Sequence, residues 1–145
     1  MANHMTSRYG GQQGSFAESL AQFAEQAKGA IDDVFREVVI ELGTSVIRLS
    51  PVDTGRFKGN WHLSIDNIEG ITYDEVDPTG QDAIASLIAA ASDLTAGQAA
   101  YILNNLPYAI PLEYGHSAKA PAGMVQITLA RFQQIVLEAI RNNQV

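Results

Sequence analysis

The stretch FAESLAQFAEQAKGAIDDVFREVVIELGTSVIRL, Phe16 to Leu49, decides the fold. Phe16, Leu20, Phe23, Ala27, Ile31, Val34, Val38, Leu42, Val46 and Leu49 follow one another at steps of three or four, which keeps them on one side of a helix. Ser15 with Glu18 three residues on has the form of a capping box, and Ser50-Pro51 ends the helix because the residue before a proline avoids the helical region. At about 1.5 Å per residue such a helix is roughly 50 Å long, whereas a globule of 145 residues is about 40 Å across. The helix therefore overhangs its own domain unless Gly29 or Gly43 bends or breaks it. Val34, Phe35, Val38, Val39, Ile40 and Leu42 cover more than one side of it, as in a segment either deep in a core or shared between a core and a partner; since the rest of one chain cannot easily bury it, a neighbouring subunit is expected to cover it.

Upstream, residues 1–15 hold three Gly and three Asn or Gln before any apolar period begins, and read as a flexible arm. Downstream, Val52-Asp53-Thr54-Gly55-Arg56 is turn-rich. Trp61, Leu63 and Ile65 then alternate with polar residues, as a half-buried strand does. A short strand is possible at Gly70 to Tyr73. Gln81 to Ala91 is an Ala-rich helix capped by Thr79 or Gly80. Ala99 to Leu103 and Tyr108 to Leu112 read as strands joined by a hairpin at Asn104-Asn105, with Pro107 and Pro111 confining the second to an edge. A last helix from about Ala122 to Arg141 carries Val125, Leu129, Phe132, Val136 and Ile140 as a stripe. The expectation is one α+β domain, residues 16–145, in which a long N-terminal and a C-terminal helix pack on a small, mainly antiparallel sheet with a short inserted helix.

Composition narrows the function. Nine Lys and Arg against sixteen Asp and Glu give a net charge of -7, and the cations form no patch, which argues against specific nucleic-acid binding. With no cysteine there is no disulfide, thiolate metal site or Cys nucleophile. No stretch reaches the eighteen or so apolar residues of a membrane span, and no targeting segment is legible. Charged residues make up only 17% of the chain, below the roughly 25% usual for soluble domains, so part of the surface is expected to lie against other protein.

The candidate chemistry is sparse. Asp53-Thr54-Gly55 matches the tripeptide of aspartic proteases, where two such Asp share a proton across a dimer axis. Here it follows Ser50-Pro51 and precedes Arg56, which suits a capped turn in which Asp53 accepts backbone N–H bonds. His4, His62 and His116 share no metal-ligand spacing; Glu113 with His116 offers two ligands at most. Asp74, Glu75 and Asp77 lack the spacing of a calcium loop and read as a solvated acidic run. The expectation is a protein with no catalytic residue, cofactor or metal. Trp61 is expected to be buried between the sheet and the long helix, and Arg56 to reach Glu113.

Two blocks carry a resemblance. Ser50-Pro51-Val52-Asp53-Thr54-Gly55-Arg56-Phe57 with Trp61 just after, and Tyr108-Ala109-Ile110-Pro111-Leu112-Glu113-Tyr114-Gly115 before the final helix, resemble the neck and tail-completion proteins of long-tailed double-stranded DNA bacteriophages, the minor tail component family. The likeness spans about Glu37 to Arg141. Phe57 stands where that family usually has an aliphatic residue, and Pro111 interrupts the second block. The resemblance implies a virion protein of the head-to-tail connector, made in the host cytoplasm. It would form a hexameric or dodecameric ring around the DNA channel, between portal-side and tail proteins. Pro51, Asp53, Thr54, Gly55, Arg56, Trp61, Tyr108, Glu113, Tyr114 and Gly115 would be its structural motif. A dimeric protease using Asp53, and a tail-assembly factor that stays out of the virion, are the alternatives.

Overall fold

A computed structural model describes residues 10–114 and 123–144, and its architecture is α+β. Helix α1 (Gly10–Leu49) is followed by α2 (Arg56–Gly59), β1 (His62–Ile65), α3 (Gln81–Ala91), β2 (Ala100–Leu103), α4 (Ala109–Glu113), α5 (Val125–Ala130) and α6 (Phe132–Asn142). The strands form a two-stranded antiparallel sheet in which His62 faces Leu103 and Ile65 faces Ala100. Helices α3, α5 and α6 pack on the C-terminal half of α1. The core gathers Val39, Val46, Ile47, Phe57, Trp61, Leu87, Leu94, Leu106 and Met124.

Helix α1 is unbroken over 40 residues, about 60 Å at 1.5 Å per residue. It starts six residues before Phe16, so Ser15 and Glu18 lie inside it and form no capping box, and residues 10–15 are helix instead of arm. Extending an existing helix avoids the cost of nucleation, which is why a Gly- and Gln-rich segment can join it. Residues 1–9 lie outside the described residues. Gly43 does not break the helix either. A Cβ there would come within 2.5 Å of Leu87 Cδ2, so the missing side chain is the notch that lets α3 approach.

Four further expectations are corrected. No strand forms at Gly70 to Tyr73, because side-chain amides hold that segment: Asn105 Nδ2 donates to Glu69 O (2.8 Å) and Ile71 O (2.9 Å), and Asn60 exchanges bonds with Tyr73 N and O. Asn104-Asn105 is accordingly no hairpin turn. Tyr108 to Leu112 is helical, with Pro111 at the third position of α4, where a missing N–H costs no intrahelical bond. The C-terminal helix is two, broken at Arg131 (φ -99°, ψ 4°). Its inward side carries Met124, Thr128, Ile135 and Ala139, while Val125, Leu129, Phe132 and Ile140 of the expected stripe are exposed.

Candidate functional site

The two sequence blocks meet. Proline stops α1 at Leu49, and the chain turns through residues 51–55 into α2, with Gly55 at φ 95°, a left-handed conformation. A Cβ on Gly55 would approach Pro78 N to 2.5 Å, so only glycine allows the acidic loop to pass here. Gly55 O also accepts from Gly59 N and Asp77 N. Phe57, placed by α2, stacks against Trp61 (5.9 Å between ring centres, edge-on) and against Tyr108 (5.7 Å, tilted). Between the blocks lies a cleft of about 480 Å³ whose walls include Pro51, Asp53, Thr54, Phe57, Tyr108 and Leu112.

Trp61 is buried at 8% exposure, and its indole Nε1 donates to Ser50 Oγ at 2.7 Å. That hydroxyl in turn donates to Val46 O, so the Trp is tied to the last turn of α1, as expected from its place in the sequence. The turn itself is capped differently from the expectation. Arg56 N donates to Thr54 Oγ1 (3.2 Å), whereas Asp53 is exposed and its carboxylate accepts no hydrogen bond among the described residues. The hydroxyl one residue nearer to α2 holds the geometry that the Asp would otherwise supply. Nor does Arg56 reach Glu113. Its guanidinium bonds Tyr73 O (3.3 Å) and Asp74 (3.4 Å), because α2 faces the acidic loop.

Glu113 does something else. From the end of α4 its carboxylate accepts from the backbone N–H groups of Met124 (2.9 Å), Val125 (2.8 Å) and Gln126 (2.8 Å), capping α5. Burial acts to raise its carboxyl, but the bonds from Val125, Gln126 and Met124 prevail and hold it below the ordinary glutamate range. His116, weighed with Glu113 as a second ligand, lies like Gly115 outside the described residues. Among the described residues no three His, Cys, Asp or Glu converge as a metal site. Tyr114 and Ile110 project from α4, exposed.

Sequence reading missed the polar anchors. Asn60 is 0% exposed and fully used: Nδ2 donates to Arg56 O and Tyr73 O, and Oδ1 accepts from Tyr73 N. Asp77, read as part of a solvated run, is buried and caps α3 by accepting from Gly80 N (3.1 Å) and Ala83 N (2.9 Å). An Asp three residues before Gly80 and six before Ala83 was the available signal. His62 Nδ1 lies 3.0 Å from Asn60 O, while its Nε2 is buried without a partner among the described residues.

The segment expected to be shared with a neighbour is largely used within the chain: Val39 is buried, and Phe35 and Ile40 pack on the core, with Val34, Val38 and Leu42 half-buried. The uncovered apolar side chains lie further toward the N-terminus, at Phe16, Leu20, Phe23 and Ile31. Comparison with protein-family models, with curated proteins and with solved structures gives no match.

Proposed function

We propose that this protein is a non-enzymatic component of a phage head-to-tail connector, a ring of identical subunits between capsid and tail. The observation that supports this most is the length of α1. Residues 15–26 are all exposed, a stretch of about 18 Å of helix with no buried side chain. A lone globular protein has no use for such a projection, whereas a subunit with neighbours on both sides has one. The exposed Leu129, Phe132, Leu137 and Ile140 on α5 and α6 supply a second uncovered surface, as head-to-tail contacts around a ring require. The juxtaposition of the two sequence blocks at one cleft fits the same reading. Net negative charge suits a channel wall past which DNA must slide, since it repels phosphate.

Portal-side and tail proteins are the partners this reading implies. The test is to look for the chain in purified virions and to measure its mass alone and with connector proteins. Presence at the head-tail junction as a six- or twelve-fold ring supports it. Absence from virions, with activity in tail assembly retained, replaces it by the assembly-factor reading.

A further inference from the structure

Phe35, Val39, Leu42, Val46 and Leu49 recur along α1 at steps of four, three, four and three and pack on or around the chain's own core; the exposed part of the helix repeats the spacing without that cover. Phe16, Leu20, Phe23, Ala27, Ala30 and Val34 recur at steps of four, three, four, three and four. That is the 3.5-residue period of a coiled-coil seam, in which these six occupy alternate core positions. The period ends at Glu37, whose carboxylate is engaged by Asn142 and Asn143 at the end of α6. The seam therefore begins on the projecting segment and runs on through Ala27, Ala30 and Val34, which are half-buried beside the end of α6.

Its flanks are nearly free of charge. The positions beside the seam hold Ala17, Ser19, Ala24, Gln26, Ile31 and Asp33, and Asp33 is neutralised by Arg36 at 3.1 Å. Glu18, Glu25 and Lys28 sit on the opposite side. Two copies of this segment can thus lie side by side without a like-charge pair at the contact, which a chain of net charge -7 achieves only by placement. Size is graded as well. Large side chains fill the outer half and small ones the inner half, where Ala27, Ala30, Ile31, Val34 and Ile140 line an apolar groove of about 600 Å³.

We propose that residues 16–34 of α1 pair with the same residues of a second copy of this chain, antiparallel. Phe16 then meets Val34, Leu20 meets Ala30 and Phe23 meets Ala27 of the second copy. Each of these three layers sets a large side chain against a smaller one, as close packing needs. The groove beside Ala30 and Val34 receives the outer Phe and Leu. This pair is a closed, two-fold state of the free protein. It does not depend on the connector reading, and assembly into a ring would exchange it for ring neighbours.

Because the chain has no cysteine, single introduced thiols report on the pairing cleanly. The full chain is examined by mass measurement from micromolar to millimolar concentration, together with disulfide mapping. The expected result is twice the 15.6 kDa chain mass. An equimolar mixture of Leu20→Cys and Ala30→Cys proteins should form the mixed disulfide in preference to either like pair. Leu20→Glu should weaken association about a hundredfold or more while leaving far-UV helix content and Tm of the monomer unchanged, since Leu20 is exposed in its own chain. A monomer at every concentration, a like-pair disulfide of Leu20→Cys as fast as the mixed one, or a dimer indifferent to Leu20→Glu would each overturn the pairing. None of these outcomes bears on whether the protein is found in virions.

Discussion

Glu113 shows how one side chain can fix the path of a segment. It accepts three backbone N–H bonds at the start of α5 from the far end of α4. Glu113→Gln, which lacks the charge and one acceptor, should cost about 1 to 2 kcal/mol at neutral pH. The carboxyl is held below its ordinary range, so the folded state binds this proton less readily than the unfolded chain does. Its stabilisation is accordingly present above about pH 5 and fades as the pH falls below about 4, where the wild type and Glu113→Gln should converge in urea titrations. Gly55→Ala places a Cβ against Pro78 at a positive φ, and a loss of about 2 kcal/mol or more is expected from thermal unfolding. Trp61→Phe keeps most of the ring but leaves the buried Ser50 hydroxyl oxygen without its indole donor, for a loss of about 1 to 3 kcal/mol, whereas Trp61→Ala should lose about 3 to 5.

At the scale of elements, the sequence was legible where a period ran long enough to be counted. The apolar steps from Phe16 to Leu49 give α1, the alternation after Trp61 gives β1, and Ile84, Leu87 and Ala91 give α3 with its observed bounds. Legibility failed where tertiary partners decide. Tyr108 to Leu112 has the composition of a strand, yet it joins neither strand of the two-stranded sheet, and Pro111 is harmless early in a helix. The Gly70 to Tyr73 segment pairs with amide side chains, which no backbone period announces. Capping was legible in part: Thr54 stands in for Asp53, whereas α3 has Gly80 at its N-cap and Thr79 Oγ1 accepting from Gln81 N (3.3 Å), as expected, with the Asp77 carboxylate as the addition no period announces. The cleft was legible only as two separate blocks, since nothing in either shows that Phe57 and Tyr108 touch. Asp77→Ala tests the capping assignment: helix α3 should lose about 1 to 2 kcal/mol, seen as faster amide exchange over Gln81–Ala91 before any global unfolding.

Considered whole, the molecule is a compact half and a projecting half on one continuous rod. The compact half holds the core and the motif residues described from both blocks; the projecting half carries Phe16, Leu20 and Phe23 exposed. Unfolding should then be uneven, with amides of residues 15–26 exchanging quickly and those of Val39 to Ile47 protected close to the global limit. The amide clasps on the acidic loop have one more consequence. Asn60 and Asn105 grip only main-chain atoms of residues 69, 71 and 73, and Thr72 beside them is exposed. Side-chain identity at position 72 is therefore unconstrained by the grip. A fluorophore attached through Thr72→Cys should leave the melting curve within about 0.5 kcal/mol of wild type, which turns the loop into a handle for following single subunits as they find their place in an assembly.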